Sequence, residues 1–323
     1  MTAPRAVGVR LPYAEVPGAV RDWVEATLGS PVASWADQVG GMSPGCATRL
    51  VTADGRRAFV KAVGIELNPA SPTLFRREIE VLERIGPDPL WADLQATYDD
   101  GTWVALLLED VPGGHPDLAD DSEMESLLSA TDRLVETLGR IPVPTGPTAS
   151  TLGQPGLIDV QERFRAWSTA LDHVAELPDD LAPADLRRSP DRLLRLVSLL
   201  DAPPDEPTQL THWDIRVDNL LRPEPGRIVF VDWGAAAVAP AWTDPLLARF
   251  ERVEEAWFDE SVSRSPALST AGDDVVTAFL VAFGVALAWQ SLQPPADVGL
   301  PTLNDFRRTQ ARRALTAAAR RLG

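Results

Sequence analysis

The stretch Leu210-Thr211-His212-Trp213-Asp214-Ile215-Arg216-Val217-Asp218-Asn219-Leu220-Leu221 is followed, after Pro223-Glu224-Pro225-Gly226, by Arg227-Ile228-Val229-Phe230-Val231-Asp232-Trp233-Gly234. Two apolar strand-like pieces flank a tight turn. Polar side chains cluster just before the first piece and just after the second. A hairpin brings those two ends together, so Asp214, Asn219 and Asp232 are expected to converge on one small site. Their donors are all oxygens with no soft ligand nearby, a set that suits Mg²⁺.

Working outward, the chain carries one lysine, Lys61, among 30 lysines and arginines. Arginine's planar fork cannot replace a compact ammonium in a confined site, so this position reads either as a required point charge or as an accident of composition. Ala47 to Thr52 and Ala58 to Val63 are two short strands joined at Ala53-Asp54-Gly55, a β-hairpin with Lys61 inside its second strand. Ser71-Pro72 has the form of a helix N-cap followed by proline, and Gly86-Pro87 closes that helix. At 100° per residue its apolar side chains, Leu74, Phe75, Ile79, Val81, Leu82 and Ile85, surround Glu78. A carboxylate on that inward stripe either meets a cation, with Lys61 the nearest candidate, or reaches out at the rim of its lobe.

Thr102 to Leu108 is an apolar strand, and Glu109-Asp110-Val111-Pro112-Gly113-Gly114 is the break after it. Beyond the break the pattern turns helical: Ser122–Ile141, Val160–Val174, Ala184–Leu200, Pro245–Phe258, Asp273–Leu292 and Thr302–Leu322. The expected fold is therefore α+β and bilobal, with a small sheet-containing lobe at 1–110 and a mostly helical lobe at 111–323. At 323 residues, 45% hydrophobic and 24% charged, the chain has the composition of a folded globular protein. One cysteine, Cys46, and three histidines exclude a Cys/His zinc cluster, and a reducing cytoplasm is expected. A net charge of −17 argues against nucleic acid or an anionic membrane surface as partner. The apolar run from Val275 to Trp289 is too short for a span and reads as a core helix. The last helix reads as docked through an apolar stripe with its arginines in water.

His212-x-Asp214-x-x-x-x-Asn219, followed thirteen residues later by Asp232-x-Gly234, resembles the catalytic-loop and metal-binding pair of the protein-kinase-like superfamily. The forms His212-Trp213-Asp214 and Asp232-Trp233-Gly234 resemble the aminoglycoside phosphotransferase and choline kinase branch. Only nine residues separate Gly234 from Asp244, too few for a protein kinase's activation segment. The resemblance covers the chain from the glycine loop near Gly40 to about Asp244. It implies a bilobal kinase-like fold and transfer of the γ-phosphate of ATP or GTP to a hydroxyl of an antibiotic or metabolite. It also implies roles. Asp214 orients and deprotonates the acceptor hydroxyl, Arg216 meets the γ-phosphate, and Asn219 and Asp232 hold Mg²⁺. Lys61, positioned by Glu78, contacts the phosphates. The loop of Gly41, Ser43 and Gly45 covers them, and the backbone of Glu109 to Val111 pairs with the base. Asp244 braces the catalytic loop, as does His212. Relatives usually carry glycine where Trp213 stands, and the loop at Gly40 departs from Gly-x-Gly-x-x-Gly.

Two further expectations complete this reading. Glu251, Glu254, Glu255 and Asp259 are placed on one helix near the acceptor side, which either faces water or awaits a cationic acceptor. The alternative to a kinase is a catalytically inactive kinase-like module that only binds nucleotide.

Overall fold

The turn at Asp54-Gly55, with Gly55 at φ +86°, folds strand β2 (Cys46–Thr52) back along β3 (Arg57–Gly64). These two lie at the middle of a five-stranded antiparallel sheet ordered β1-β2-β3-β5-β4, with β1 at Val32–Asp37, β4 at Leu94–Asp99 and β5 at Trp103–Leu108. This is a computed structural model, and it describes residues 9–41, 43–143, 148–149, 153–201, 208–294 and 301–323.

Alternation along β3 divides its side chains between two layers. Ala58, Val60 and Ala62 pack with Val20 and Val24 of α1 (Gly18–Leu28) on one face. Phe59 and Val63 point the other way, into the core shared with Phe75, Val81 and Leu82 of α2 (Ser71–Ile85). Ser71 is already helical and caps nothing. Instead Asn68 Oδ1 accepts the N–H groups of Ala70 and Ser71 at 2.9 and 3.1 Å.

The second lobe is helical: α3 (Asp121–Leu138), α4 (Val160–Ala170), α5 (Ala184–Arg187), α6 (Pro190–Val197), α7 (Thr243–Ala248), α8 (Ala256–Arg264), α9 (Pro266–Ala271), α10 (Asp273–Leu292) and α11 (Leu303–Leu322). Asp120 caps α3 by accepting from Ser122 and Glu123, which accounts for part of the acidic run there. Short strands flank the segments that hold Asp214, Asn219 and Asp232. β6 (Thr148–Ala149), β7 (Leu157–Asp159), β8 (Thr208–Thr211) and β11 (Ala237–Pro240) form a four-stranded sheet, and β9 (Leu220–Leu221) pairs antiparallel with β10 (Val229–Phe230).

The apolar α10 is a core helix, with Val276, Phe279, Leu280 and Val281 fully buried. It packs on α11 where Gly284 lets Leu315 approach: a Cβ there would lie 2.7 Å from Leu315 Cγ. The single helix expected over Pro245–Phe258 is instead α7, a 3₁₀ turn at Phe250–Arg252, and α8. Three of its acids, Glu251, Glu254 and Asp259, nevertheless turn toward one neighbour, α11. The arginines of α11 are thus not all wet. Arg313 meets Glu254 at 3.2 Å and Glu251 at 3.8 Å, Arg320 meets Asp259 at 2.9 Å, and Arg321 meets Asp259 at 2.6 Å. The acidic run and the basic helix are each other's partners.

Candidate active site

Lys61 stands on the inner face of β3, directed toward α2. Its Nζ lies 2.5 Å from Glu78 Oε2 and 3.0 Å from Asp232 Oδ1, and Lys61 and Glu78 are both buried. Burial works against the ammonium, but Asp232 and Glu78 outweigh it and hold its pKa above the ordinary lysine value. Asp232 lies below the usual carboxylate range: burial opposes ionisation, and Lys61 overrides it with help from Arg10 and Arg216. Glu78 also accepts from the backbone N–H of Trp233 at 3.4 Å. One residue earlier, Arg77 donates to the carbonyl of Gly234 at 2.8 Å. Helix α2 is thus tied to the Asp232-Trp233-Gly234 turn by both a carboxylate and a guanidinium.

The catalytic loop is fixed from below. Asp244 Oδ2 and Oδ1 accept the backbone N–H groups of His212 and Trp213 at 2.8 and 2.9 Å. His212 is fully buried, its Nε2 lies 3.1 Å from the Val231 carbonyl, and burial lowers its pKa against the pull of Asp244. The ring is neutral and structural. Asn219 Nδ2 donates to Asp214 Oδ2 and to the Asp214 carbonyl, both at 2.9 Å. Burial raises the Asp214 pKa, and Arg216, with Nε 3.0 Å from Asp214 Oδ1, opposes that rise. Arg216 also lies 3.4 Å from Asp218 and over the ring of Phe306.

Among the described residues, Trp213 and Asp232 are the two non-glycine positions with positive φ, +65° and +68°. Left-handed backbone costs an L-residue about 1–2 kcal/mol, so two such residues in one site are held there by the surrounding bonds.

Two pockets meet at this loop. The larger, about 290 Å³, lies between the lobes, with Ala47, Phe59, Leu108, Val111, Leu221 and Val231 forming an apolar slot. Lys61, Glu78, Asp218, Asn219 and Asp232 stand at its charged end, with Gly40 and Gly41. Glu109 and Val111 line the slot. The Glu109 N–H is taken by the Asp93 carbonyl at 2.8 Å, while the Glu109 carbonyl and the Val111 N–H have no internal hydrogen-bond partner among the described residues.

Ser43 and Gly45 lie behind this cleft and not over it. Ser43 Oγ accepts the Gly45 N–H at 3.2 Å, and Gly45 is pressed on β3, where a Cβ would come within 2.4 Å of the Ala62 carbonyl. Met42 falls outside the described residues. Sequence reading missed Arg10, whose guanidinium lines the cleft and donates to the Gly40 carbonyl at 2.6 Å. Gly41 sits at φ +82°, a left-handed conformation that favours glycine, whereas the Arg10 guanidinium beside it is the flexible end of a side chain and could move. Cys46 is buried beside Thr48 and its thiol is pushed up to about 11, which leaves it inert.

The second pocket, about 190 Å³, opens on the far side of Asp214 and is walled by Trp167, Trp213, Phe250, Phe279, Phe283 and Phe306, with Arg163, Arg216, Glu251 and Gln310 among them. Arg216 borders this pocket and not the nucleotide-sized cleft. Glu254, Glu255 and Asp259 line neither pocket.

The oxygen donors fit a hard divalent cation. The Asp232 side chain is 42% exposed toward the cleft, and the Asn219 amide oxygen is free because its nitrogen is engaged by Asp214. Among the described residues no cluster of three or more His, Cys, Asp or Glu forms a self-contained metal cage. Two protein oxygens completed by phosphates and water is the arrangement Mg²⁺ favours.

The fold is shared with solved kinases at low identity. Aminoglycoside phosphotransferase APH(4)-Ia, solved as a thermostable mutant with ADP and hygromycin B, superposes with a TM-score of 0.64 at 17% identity, covering 94% of this chain and 98% of that one. Choline kinase LicA from Streptococcus pneumoniae gives 0.60 at 14% identity over 94% and 98%. Amicoumacin kinase hAmiN, solved with AMP-PNP, gives 0.52 at 12% over 93% and 96%. No curated protein matches the chain in sequence. A model of the phosphotransferase enzyme family matches residues 47–260, which hold the Lys61–Glu78 pair, the catalytic loop and Asp232. The chain belongs to that phosphotransferase enzyme family.

Proposed function

We propose that this protein transfers the γ-phosphate of ATP, with Mg²⁺, to a hydroxyl of a small molecule seated beside Asp214. The observation that carries the reading is the Asn219–Asp214 hydrogen bond, 2.9 Å long, because Asn219 borders the inter-lobe cleft while Asp214 borders the aromatic pocket. One bond joins a nucleotide-sized space to an acceptor-sized one. The relatives solved with ADP or AMP-PNP favour an adenine nucleotide.

In this reading residues 1–110 form the nucleotide lobe and 111–323 the catalytic and acceptor lobe. The Glu109 carbonyl and Val111 N–H pair with adenine. Lys61, oriented by Glu78, holds the phosphates, and Gly40 and Gly41 cover them. Asn219 and Asp232 hold Mg²⁺, which when bound neutralises phosphate charge. The acceptor oxygen attacks the γ-phosphorus, its proton passes to Asp214, and the bond to the β-phosphate oxygen breaks to release ADP. Burial lifts the Asp214 pKa and makes it the better base, while Arg216 and Asn219 fix its two oxygens. Phosphoryl transfer asks mainly for such positioning and charge neutralisation.

Thermal shift with ATP, with and without Mg²⁺, followed by turnover on a panel of hydroxylated antibiotics and metabolites, tests the proposal. Asp214→Asn should cost about 10²–10⁴-fold in kcat and leave nucleotide affinity nearly unchanged. Metal-dependent stabilisation with no acceptor phosphorylated would instead mean an inactive nucleotide-binding module.

A further inference from the structure

The pocket beside Asp214 is built from flat rings. Trp213 and Trp167 stack with centroids 6.0 Å apart and planes 20° apart, and Phe283 meets Trp167 at 5.4 Å. Trp213 reaches this stack at the expense of a left-handed backbone, so the ring is held in place against a local conformational cost. The charged groups in the same wall are mostly committed. Asp214 is paired with Arg216, Arg216 also with Asp218, and Glu251 lies 3.8 Å from Arg313, whose guanidinium also donates to Glu254, Gln310 and the Phe250 carbonyl.

Arg163, on α4, is different. Its guanidinium makes no hydrogen bond and no ion pair among the described residues, and its buried Nε has no acceptor. Burial depresses its pKa, with Asp214 the acid that offsets this. A guanidinium that lines a pocket with its Nε buried and without an acceptor gains partners when an anion enters. Of the acids that would either face water or await a cationic acceptor, Glu254 and Asp259 are paired with arginines of α11, and Glu255 does not line the pocket.

We infer that the acceptor is a hydroxylated compound with a flat, apolar body and a carboxylate, the carboxylate received by Arg163 and the ring slotted among Trp167, Trp213 and Phe283. This rests on the phosphotransferase reading of the same site. A guanidinium takes a carboxylate through two parallel hydrogen bonds, and aromatic walls take a planar body in offset or edge contact.

The test uses three matched probes, para-hydroxymethyl benzoate, its amide, and para-hydroxymethyl benzylamine. Their binding to the full chain is measured by calorimetry and saturation-transfer NMR without nucleotide. The acid should bind at least about tenfold more tightly than the amide, roughly 1.4 kcal/mol, and the amine more weakly still. Arg163→Gln should erase the preference, and Arg163→Lys should keep part of it. Both variants should retain the wild-type thermal shift with Mg-ATP, which shows that they fold and that the nucleotide cleft is untouched. Equal binding of the three probes, preference for the amine, no binding of any, or a loss of ATP affinity in Arg163→Gln with the acid preference intact would each overturn the inference. Those outcomes are separate from failure of the phosphotransferase reading, which shows as absent Mg-ATP binding or absent turnover across the wider panel.

Discussion

Asp244 accepts the backbone N–H of Trp213 at 2.9 Å and so pins a tryptophan whose φ is +65°. Its other oxygen takes the N–H of His212 at 2.8 Å, and all three residues are buried. The carboxylate therefore supports the backbone turn that leads into Asp214.

Asp244→Ala should orphan both buried N–H groups, each worth about 1–3 kcal/mol, for a total loss of about 3 kcal/mol after relaxation. Asp244→Asn keeps one acceptor and should cost about half as much. Urea unfolding of the three proteins checks the ranking. Equal stability of Asp244→Ala and wild type would remove Asp244 from this role.

Trp213→Gly sets two effects against each other. Relief of the left-handed backbone returns about 1–2 kcal/mol, whereas losing a buried aromatic side chain costs about 3–5 kcal/mol. Packing should win, and the variant should be about 2 kcal/mol less stable, with a raised KM for any acceptor that the wild type phosphorylates. A net gain in stability would show that the ring packs less well than its contacts suggest.

Lys61→Arg preserves charge but places a planar fork where Glu78 and Asp232 stand 2.5 and 3.0 Å from one nitrogen. Activity should fall by about 10²–10³-fold, with the fold retained by circular dichroism. Full activity in Lys61→Arg would make the lone lysine an accident of composition.

Arg10→Met removes a cation from the inter-lobe cleft and frees the Gly40 carbonyl it holds at 2.6 Å. A charge-assisted contact is worth about 1.5–3 kcal/mol, so the Kd for ATP should rise at least about tenfold. Arg10→Lys should recover part of it. Unchanged affinity in Arg10→Met would leave Arg10 as a packing residue.

His212 gives a pH dependence of known sign. Its folded pKa is depressed by burial, so below about pH 6.5 the unfolded chain binds a proton that the folded chain refuses. Its contribution to stability is present above that pH and is lost as pH falls through it, at up to about 1.4 kcal/mol per pH unit. Since Glu78, Asp214 and Asp244 titrate with the opposite sense, the comparison is wild type against His212→Asn across that window. Parallel curves would mean that the imidazole is protonated in the folded state.

What the sequence disclosed and what it withheld divide along the range of the interactions. The hairpin carrying Lys61, the inward carboxylate of Glu78 and the loop from His212 to Asn219 are local patterns with a period or a spacing, and their convergence follows from the 2.5 Å and 2.9 Å contacts they make. The edge strand β4, Leu-Gln-Ala-Thr-Tyr-Asp, alternates in burial and is followed by the turn residues Asp100-Gly101, so it was as legible as the β2–β3 hairpin although it went unread. Arg10 and Arg163 were invisible because each is one guanidinium among 29, and only the three-dimensional surroundings distinguish a desolvated one. The pairing of α11 with the acids at 251–259 was hidden for a related reason: composition counts charges but does not match them over sixty residues of chain.

The late position of α11 has a consequence for how the protein is made. Every residue that lines the inter-lobe cleft lies between Arg10 and Asp232, whereas Phe306 and Gln310, in the final helix, close the pocket beside Asp214. Synthesis therefore completes the lining of the inter-lobe cleft before it supplies Phe306 and Gln310 to the pocket beside Asp214. A stop between Asp259 and Leu303 would keep every residue of the cleft lining but remove Phe306 and Gln310, and would strip Glu251, Glu254 and Asp259 of Arg313, Arg320 and Arg321.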